Sequence, residues 1–310
     1  MKRLLLGLLL IVFFGAEAKP KKALSDATEL RFATYNIWSH LARESQIKKG
    51  NSPATRSWES SREAVAKLIV SLDCDVVAMQ EVTELCRDDI ERLVKKSGGK
   101  YTLWWQNSYP EGHKRIIGNA VLFRKGAFKI SEQRMSWFSL TPTVYSVGWD
   151  EMKFYRTFLS AVVEHKKSGR KFFLMAVHGP LGKEASAHAA GILAEIEKMY
   201  NTENLPVVVM GDMNAHPATP FYKAMCEQFD DAYNVAQKRC STIGSFNGSA
   251  GLDDNLTKPR RRIDHIYLRS TEQGKWSVVS YEVDRTKYDL GDGMRFPSDH
   301  NPVYVDLKLE

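Results

Sequence analysis

The sequence predicts an α/β fold of two packed β-sheets with helices on their outer faces, and three observations carry it. Short apolar runs rich in β-branched and aromatic residues recur along the chain. Several are separated by segments with helical spacing, and residues 101–177 are strand-like almost throughout. One large mixed sheet would give the same pattern, so pattern alone leaves both architectures open.

Residues 30–37 (LRFATYNI) read as the first strand. Val65, Leu68, Ile69 and Leu72 then fall at helical spacing in a segment starting near Ser57. Residues 75–80 (DVVAMQ) form a short buried strand, and a polar helix runs from Thr83 to about Lys96, ended by Ser97-Gly98-Gly99. Strands follow at residues 101–105, 119–123, 128–137, 157–164 and 171–177, the last two joined by a turn at Lys167-Ser168-Gly169. A helix with Ile192, Leu193, Ile196 and Met199 on one face leads into a strand at 206–210. A helix at about 220–228 precedes a loop-rich region, 237–260. Strands at 262–268, 276–283 and 303–309 close the chain.

The start of the chain, Met1-Lys2-Arg3, an apolar run from Leu4 to Phe14 and Gly15-Ala16-Glu17-Ala18, has the three parts of a secretory signal peptide. The run is shorter than the roughly 20 residues that span a bilayer. We therefore expect cleavage after Ala18 and a secreted or periplasmic protein without a stable membrane anchor. Residues 19–310 are expected to form a single catalytic domain, as a monomer. A formal charge of +7 is mild and favours anionic partners without choosing among them. Cys74, Cys86, Cys226 and Cys240 form an even set that in an oxidising compartment allows one or two disulfides, with three pairings open.

The chemistry lies where apolar strands run out. The strand ends carry Asn36, Gln80-Glu81, His178, Gly211-Asp212-Met213-Asn214, Asp264-His265 and Ser298-Asp299-His300. Should these ends share one edge, carboxylates would crowd together with two imidazoles and two amides. Such a cluster calls for a hard divalent cation with oxygen ligands, and Mg²⁺ suits it. Glu81 and Asp299 lead as ligands, with Asn36 adding a neutral oxygen. Asp212 and Asn214, two apart after a strand, can project from one turn; an Asx-turn opening the next helix accounts for them equally. His40, His113, His165 and His188 read as surface residues, and His216 and His265 have no assigned task.

These motifs together resemble the endonuclease/exonuclease/phosphatase superfamily. The resemblance runs from about residue 30 to 309 on TYNI, MQEV, AVHGP, GDMNAHP, RIDHIYL and PSDHNPV. It implies a four-layer α/β sandwich, with two mixed sheets face to face and helices outside. It also implies a metal-dependent phosphoesterase in which Glu81, Asn36 and Asp299 hold Mg²⁺ (or Mn²⁺). Asp212 and Asn214 would orient or activate the attacking water. His300, paired with Asp264, would act at phosphorus, and His178 at the leaving oxygen. Arg156 resembles a phosphate-contacting arginine. Residues 137–150 resemble a loop of small secreted bacterial members. Where many members carry an acid or tyrosine before the fourth strand, this chain has Ile116-Ile117-Gly118-Asn119, which leaves that helper and the partner of His178 unassigned. His216 and Ile263-Asp264-His265 depart from the inositol-phosphatase branch.

For the substrate, the basic run Lys258, Arg260, Arg261 and Arg262 beside Asp264 favours a nuclease acting on DNA or RNA. The alternative is a phosphatase or phosphodiesterase acting on a small-molecule or lipid-headgroup ester. Trp104, Trp105 and Tyr109 offer an aromatic loop for it, although strand packing explains the tryptophans equally. A non-catalytic binding protein is disfavoured, because every principal motif residue is present.

Overall fold

Alternate residues of the first strand face opposite ways, and they enter two different cores. Leu30 and Phe32 pack between the sheets, whereas Ala33 and Tyr35 pack beneath helices. A computed structural model describes residues 27–50, 55–149, 154–248 and 256–310. The signal peptide expected at 1–18 lies outside the described residues.

The chain begins β1 (Thr28–Asn36), α1 (His40–Lys49), α2 (Trp58–Ser71), β2 (Val76–Thr83) and α3 (Glu84–Lys96). Five strands follow: β3 (Tyr101–Asn107), β4 (Ile117–Arg124), β5 (Phe128–Trp137), β6 (Thr157–His165) and β7 (Lys171–His178). Next come α4 (Lys183–Tyr200), β8 (Val207–Asp212), α5 (Pro220–Cys226), β9 (Asp230–Asp231), α6 (Ala232–Val235) and β10 (Lys238–Arg239). The chain closes with β11 (Asp264–Arg269), β12 (Trp276–Val283), the short pair β13 (Tyr288–Asp289) and β14 (Met294–Arg295), and β15 (Val303–Leu309).

One sheet has the order β10-β12-β15-β1-β2-β4-β3 and the other β5-β6-β7-β8-β11-β9. Three apolar cores separate four layers. Phe32, Val76, Leu174 and Met210 belong to the core between the sheets. Tyr35, Val77 and Met79 meet Val65, Leu68 and Ile90 of α2 and α3. Phe173, Met175 and Val209 meet Leu193, Ile196 and Phe221 of α4 and α5. Two mixed sheets with helices outside is the α/β sandwich, and the single-sheet alternative is eliminated.

Several sequence expectations change. α1 was not anticipated, because HLARESQIKK has no apolar stripe; its side-chain cap, Ser39 accepting from the Ala42 N–H, and its C-terminal Gly50 at φ 63° define it instead. Met199 is 45% exposed and leaves the buried face of α4 that Ile192, Leu193 and Ile196 form. All four cysteines are free thiols, so none of the three pairings left open forms a disulfide. Cys74 and Cys86 are buried as small apolar side chains in the helix-side core. His40 is half-buried, with Nδ1 2.7 Å from Thr83 Oγ1, and His165 is half-buried against Ser168 Oγ at 2.9 Å, so neither is a free surface residue. His265 is fully buried. Trp105 donates to the Val82 carbonyl at 2.8 Å and packs with the helix-side core, so the tryptophan pair serves strand packing.

Candidate active site

Strand direction brings the motif residues to one edge. β1 and β2 run parallel, as do β7 and β8, so Asn36, Glu81, His178 and Asp212 all lie at C-terminal ends. β11 is antiparallel to β8, and β15 to β1, so their starts reach the same edge. Asp264 pairs in register with Asp212, and His178 with the same Asp212 from the other side.

The two sheets are tied across this edge. Asn36 Nδ2 donates to Asp212 Oδ2 at 3.0 Å and lies 3.5 Å from Glu81 Oε1. Glu81 sits where the β2–β4 register shifts, at φ 62°, a left-handed conformation that turns its carboxylate out of the strand's alternation. Its Oε2 accepts from the Ser39 N–H and hydroxyl, each at 3.2 Å. Asn214, at φ 50°, closes an Asx-turn through its N–H to Asp212 Oδ1 at 2.9 Å. Its Nδ2 donates to the Gly179 carbonyl at 3.1 Å. That turn does not open a helix directly, since α5 begins only at Pro220. At Gly211 a side chain is excluded: a Cβ there would lie 1.9 Å from the Val177 carbonyl oxygen.

His300 Nδ1 donates to Asp264 Oδ2 at 2.7 Å, and its Nε2 lies 3.8 Å from Asp212 Oδ2. Asp264 Oδ2 also accepts from Ser245 Oγ at 2.5 Å, and the Phe246 ring packs on the His300 imidazole at 5.0 Å. Burial pushes the His300 imidazole down in pKa, but Asp264 and Asp212 outweigh it and hold it up at about 10, so it is a cation at neutral pH. Asp212 is raised by burial and then by Asp264. Burial, with Glu81 and Asp212 adding to it, raises Asp299 to about 7. His178 goes the other way. Burial and the adjacent Arg156 cation depress it well below the usual imidazole range, leaving it neutral.

Arg156 is the partner of His178 that sequence could not assign. Its Nη1 lies 2.8 Å from His178 Nδ1 and also contacts Nε2. It directly precedes β6 rather than lying within a strand, and its Nε is buried without a partner among the described residues. The nine residues singled out from sequence therefore meet at one edge. Sequence reading missed Ser39, Ser245 and Phe246, which lie one loop from their motifs and are ordinary residue types. It also left Asn119 without a task. This side chain is buried, donates to the Thr157 carbonyl at 2.8 Å, and has an Oδ1 with no partner among the described residues.

A divalent cation fits this donor set. Glu81, Asp299 and Asn36 offer oxygens at this edge, where the Glu81 carboxylate adds to the burial that raises Asp299, and a cation would relieve that repulsion. Asp212, Asp264 and His300 also place ligand atoms within 4.8 Å of one another. In that trio, however, His300 and Asp264 are already spent on each other at 2.7 Å. Glu81, Asn36 and Asp299 are the better ligands on this ground.

A two-sheet sandwich with carboxylates, amides and two histidines gathered at one edge defines a class of metal-dependent phosphoester hydrolases. The chain belongs to the endonuclease/exonuclease/phosphatase family, whose profile matches residues 33–300. It is similar to an endonuclease/exonuclease/phosphatase family protein from Bacteroides thetaiotaomicron, with 26% identity and a TM-score of 0.76 over 92% of this chain and 100% of that one. It is also similar to a mannosyl-6-phosphatase from the same species, at 25% identity and a TM-score of 0.73, covering 90% and 99% of the two chains. Mouse nocturnin is 23% identical over 301 residues, 92% of this chain and 67% of nocturnin.

Proposed function

We propose that the protein hydrolyses a phosphate ester of a small organic molecule with the help of Mg²⁺. The observation that carries this is a cavity of about 730 Å³ that opens onto Glu81, Asn119, Arg156 and His178. Its size suits a small ligand rather than a duplex. The likeness to a mannosyl-6-phosphatase supports the same substrate class.

The chain's own groups divide the work of an in-line displacement. Asp212, with its raised pKa, accepts the proton of the attacking water, and Asn214 holds the turn that aims it. The water oxygen bonds to phosphorus as the ester P–O bond breaks. The cationic His300, held by Asp264, donates from Nε2 to a phosphoryl oxygen as charge builds. Arg156 holds the phosphate, and His178, a neutral imidazole, gives a ring N–H hydrogen bond to the leaving oxygen, which takes its proton from water. When bound, the metal supplies Lewis-acid polarisation of the phosphate.

The nuclease alternative keeps one supporting observation. The Arg261 guanidinium lies 5.1 Å from the Phe246 ring, which itself packs on His300. Arg262, by contrast, is buried, paired with Asp231 at 2.7 Å and Tyr222 at 2.9 Å, so it cannot hold a nucleic-acid backbone. The deciding experiment measures phosphate release from p-nitrophenyl phosphate and hexose phosphates in Mg²⁺, alongside cleavage of plasmid, single-stranded DNA and RNA. Asp212→Asn is the control. Release from small esters that the variant lacks supports the proposal; cleavage confined to nucleic acid overturns it. We also propose export from the cytoplasm, supported by the leader-like residues 1–18. An exported form whose N-terminus is not Lys19 would refute the cleavage site.

A further inference from the structure

The cavity extends well beyond the phosphate-handling groups, and its mouth is cationic. Lys114 and Arg115, in the loop between β3 and β4, line it together with Lys48 and Lys49 of α1, against one exposed acid there, Glu44. None of these four forms an ion pair among the described residues. Lysines in the last turn of a helix have a structural reason of their own, since they offset the helix dipole. Lys114 and Arg115 have no such reason. They are exposed on a loop whose anchoring falls to other groups: Asn107 accepts from the Ile117 N–H at 3.1 Å, and Tyr109 packs edge-on against Tyr155 at 4.9 Å.

Phe154 fixes where these charges stand relative to the catalytic end. The Arg115 guanidinium lies 5.0 Å from the Phe154 ring centroid, and the Arg156 guanidinium 5.7 Å from the same centroid. The two cations are therefore no more than roughly 11 Å apart, held by one shared aromatic ring. The ring and the two tyrosines also line the cavity.

Building on the small-ester reading above, we propose that the substrate carries a second anionic group, a phosphate or a carboxylate. Lys114 and Arg115 hold that group at the mouth while the scissile phosphate lies on Arg156. The spacing selects a compact spacer of about the size of one sugar ring and disfavours a long chain between the two anions. Arginine suits a planar or tetrahedral oxyanion because its fork can give two parallel hydrogen bonds.

The test compares kcat/KM in Mg²⁺ for a hexose 6-phosphate, a hexose 1,6-bisphosphate and a 6-phospho sugar acid, using the wild type and the double variant Lys114→Gln/Arg115→Gln. In the wild type, at least one doubly anionic substrate is expected to exceed the monophosphate by about tenfold, carried by KM, as two charge-assisted contacts would give. In the double variant that ratio is expected to fall to near one, and the bisphosphate and sugar-acid arms show which anion is read. Equal efficiencies for all three in the wild type overturn the proposal while leaving the small-ester function standing. A preference that survives in the double variant also overturns it. No turnover of any of the three, with nucleic acid cleaved, sinks the small-ester function itself and this inference with it.

Discussion

Asn36 Nδ2 and Asp212 Oδ2 are 3.0 Å apart although they end strands of different sheets. This contact sets the distance between the metal-ligand side of the site, where Glu81 and Asp299 stand, and the water-activating side, where Asp212 stands. Asn36→Ala should lower kcat by about 100-fold, comparable to losing one preorganised transition-state donor. Steady-state kinetics, with circular dichroism to confirm the fold, checks it. Unchanged kcat would remove Asn36 from the site's machinery.

Metal removal should abolish turnover, with Mg²⁺ restoring it after EDTA. Because Glu81 and Asp299 repel each other without a cation, Mg²⁺ should also raise Tm in a concentration-dependent way. Glu81→Gln should weaken that thermal response, as calorimetric Mg²⁺ titration can follow. An identical response in the variant would place the metal elsewhere.

Ser245 acts on the reaction through Asp264. Its hydroxyl gives the 2.5 Å hydrogen bond that, with His300, fixes Asp264 Oδ2. Ser245→Ala should cost about 1.5–3 kcal/mol of stability, the range for a hydrogen bond to a charged group. It should also lower kcat by roughly tenfold as the pair loosens, with little change in KM. Ser245→Thr should restore both. A stability loss without a kcat change would make the serine purely structural.

Arg43 is a buried cation whose guanidinium reaches the carbonyls of Ile37, Trp38, Arg56 and Pro297 and the hydroxyl of Ser61. It binds the loop after β1 to the segment before Asp299. Arg43→Met leaves those acceptors without donors and should destabilise by about 3 kcal/mol or more in chemical denaturation. Arg43→Lys should recover only part, because an ammonium lacks the fork.

His265 gives a pH dependence that is independent of the metal. It is held neutral: Nε2 donates to the Ala215 carbonyl at 2.8 Å, and Nδ1 faces Arg262 Nη1 at 3.1 Å. Burial lowers its pKa from 6.5 to about 4, with Asp231 opposing and Arg262 assisting. A depressed folded pKa means the stability is complete above pH 6.5 and is lost as pH falls toward and through 4. The loss amounts to about 3 kcal/mol at the low end. His265→Gln should flatten the slope of unfolding free energy between those limits. Parallel slopes for the two proteins would show that the imidazole does not drive it.

The sequence by itself determined the residue types at the strand ends, the family, and most strands and helices. Period-two alternation and helical spacing are local properties, legible in Val303–Leu309 and Trp58–Ser71 without knowledge of their neighbours. It could not determine α1, whose polar sequence carries no period, or Glu81's left-handed backbone, which only the register shift against β4 reveals. Nor could it sort the arginines. Arg262 looks free in the basic run yet is spent on Asp231, whereas Arg156, which resembles only a phosphate-contacting arginine, also meets His178. Whether a charge is paired or available depends on partners tens of residues away in the chain. Tertiary packing alone decides that, because burial sets how strongly a cation needs a partner and chain topology sets which one it finds.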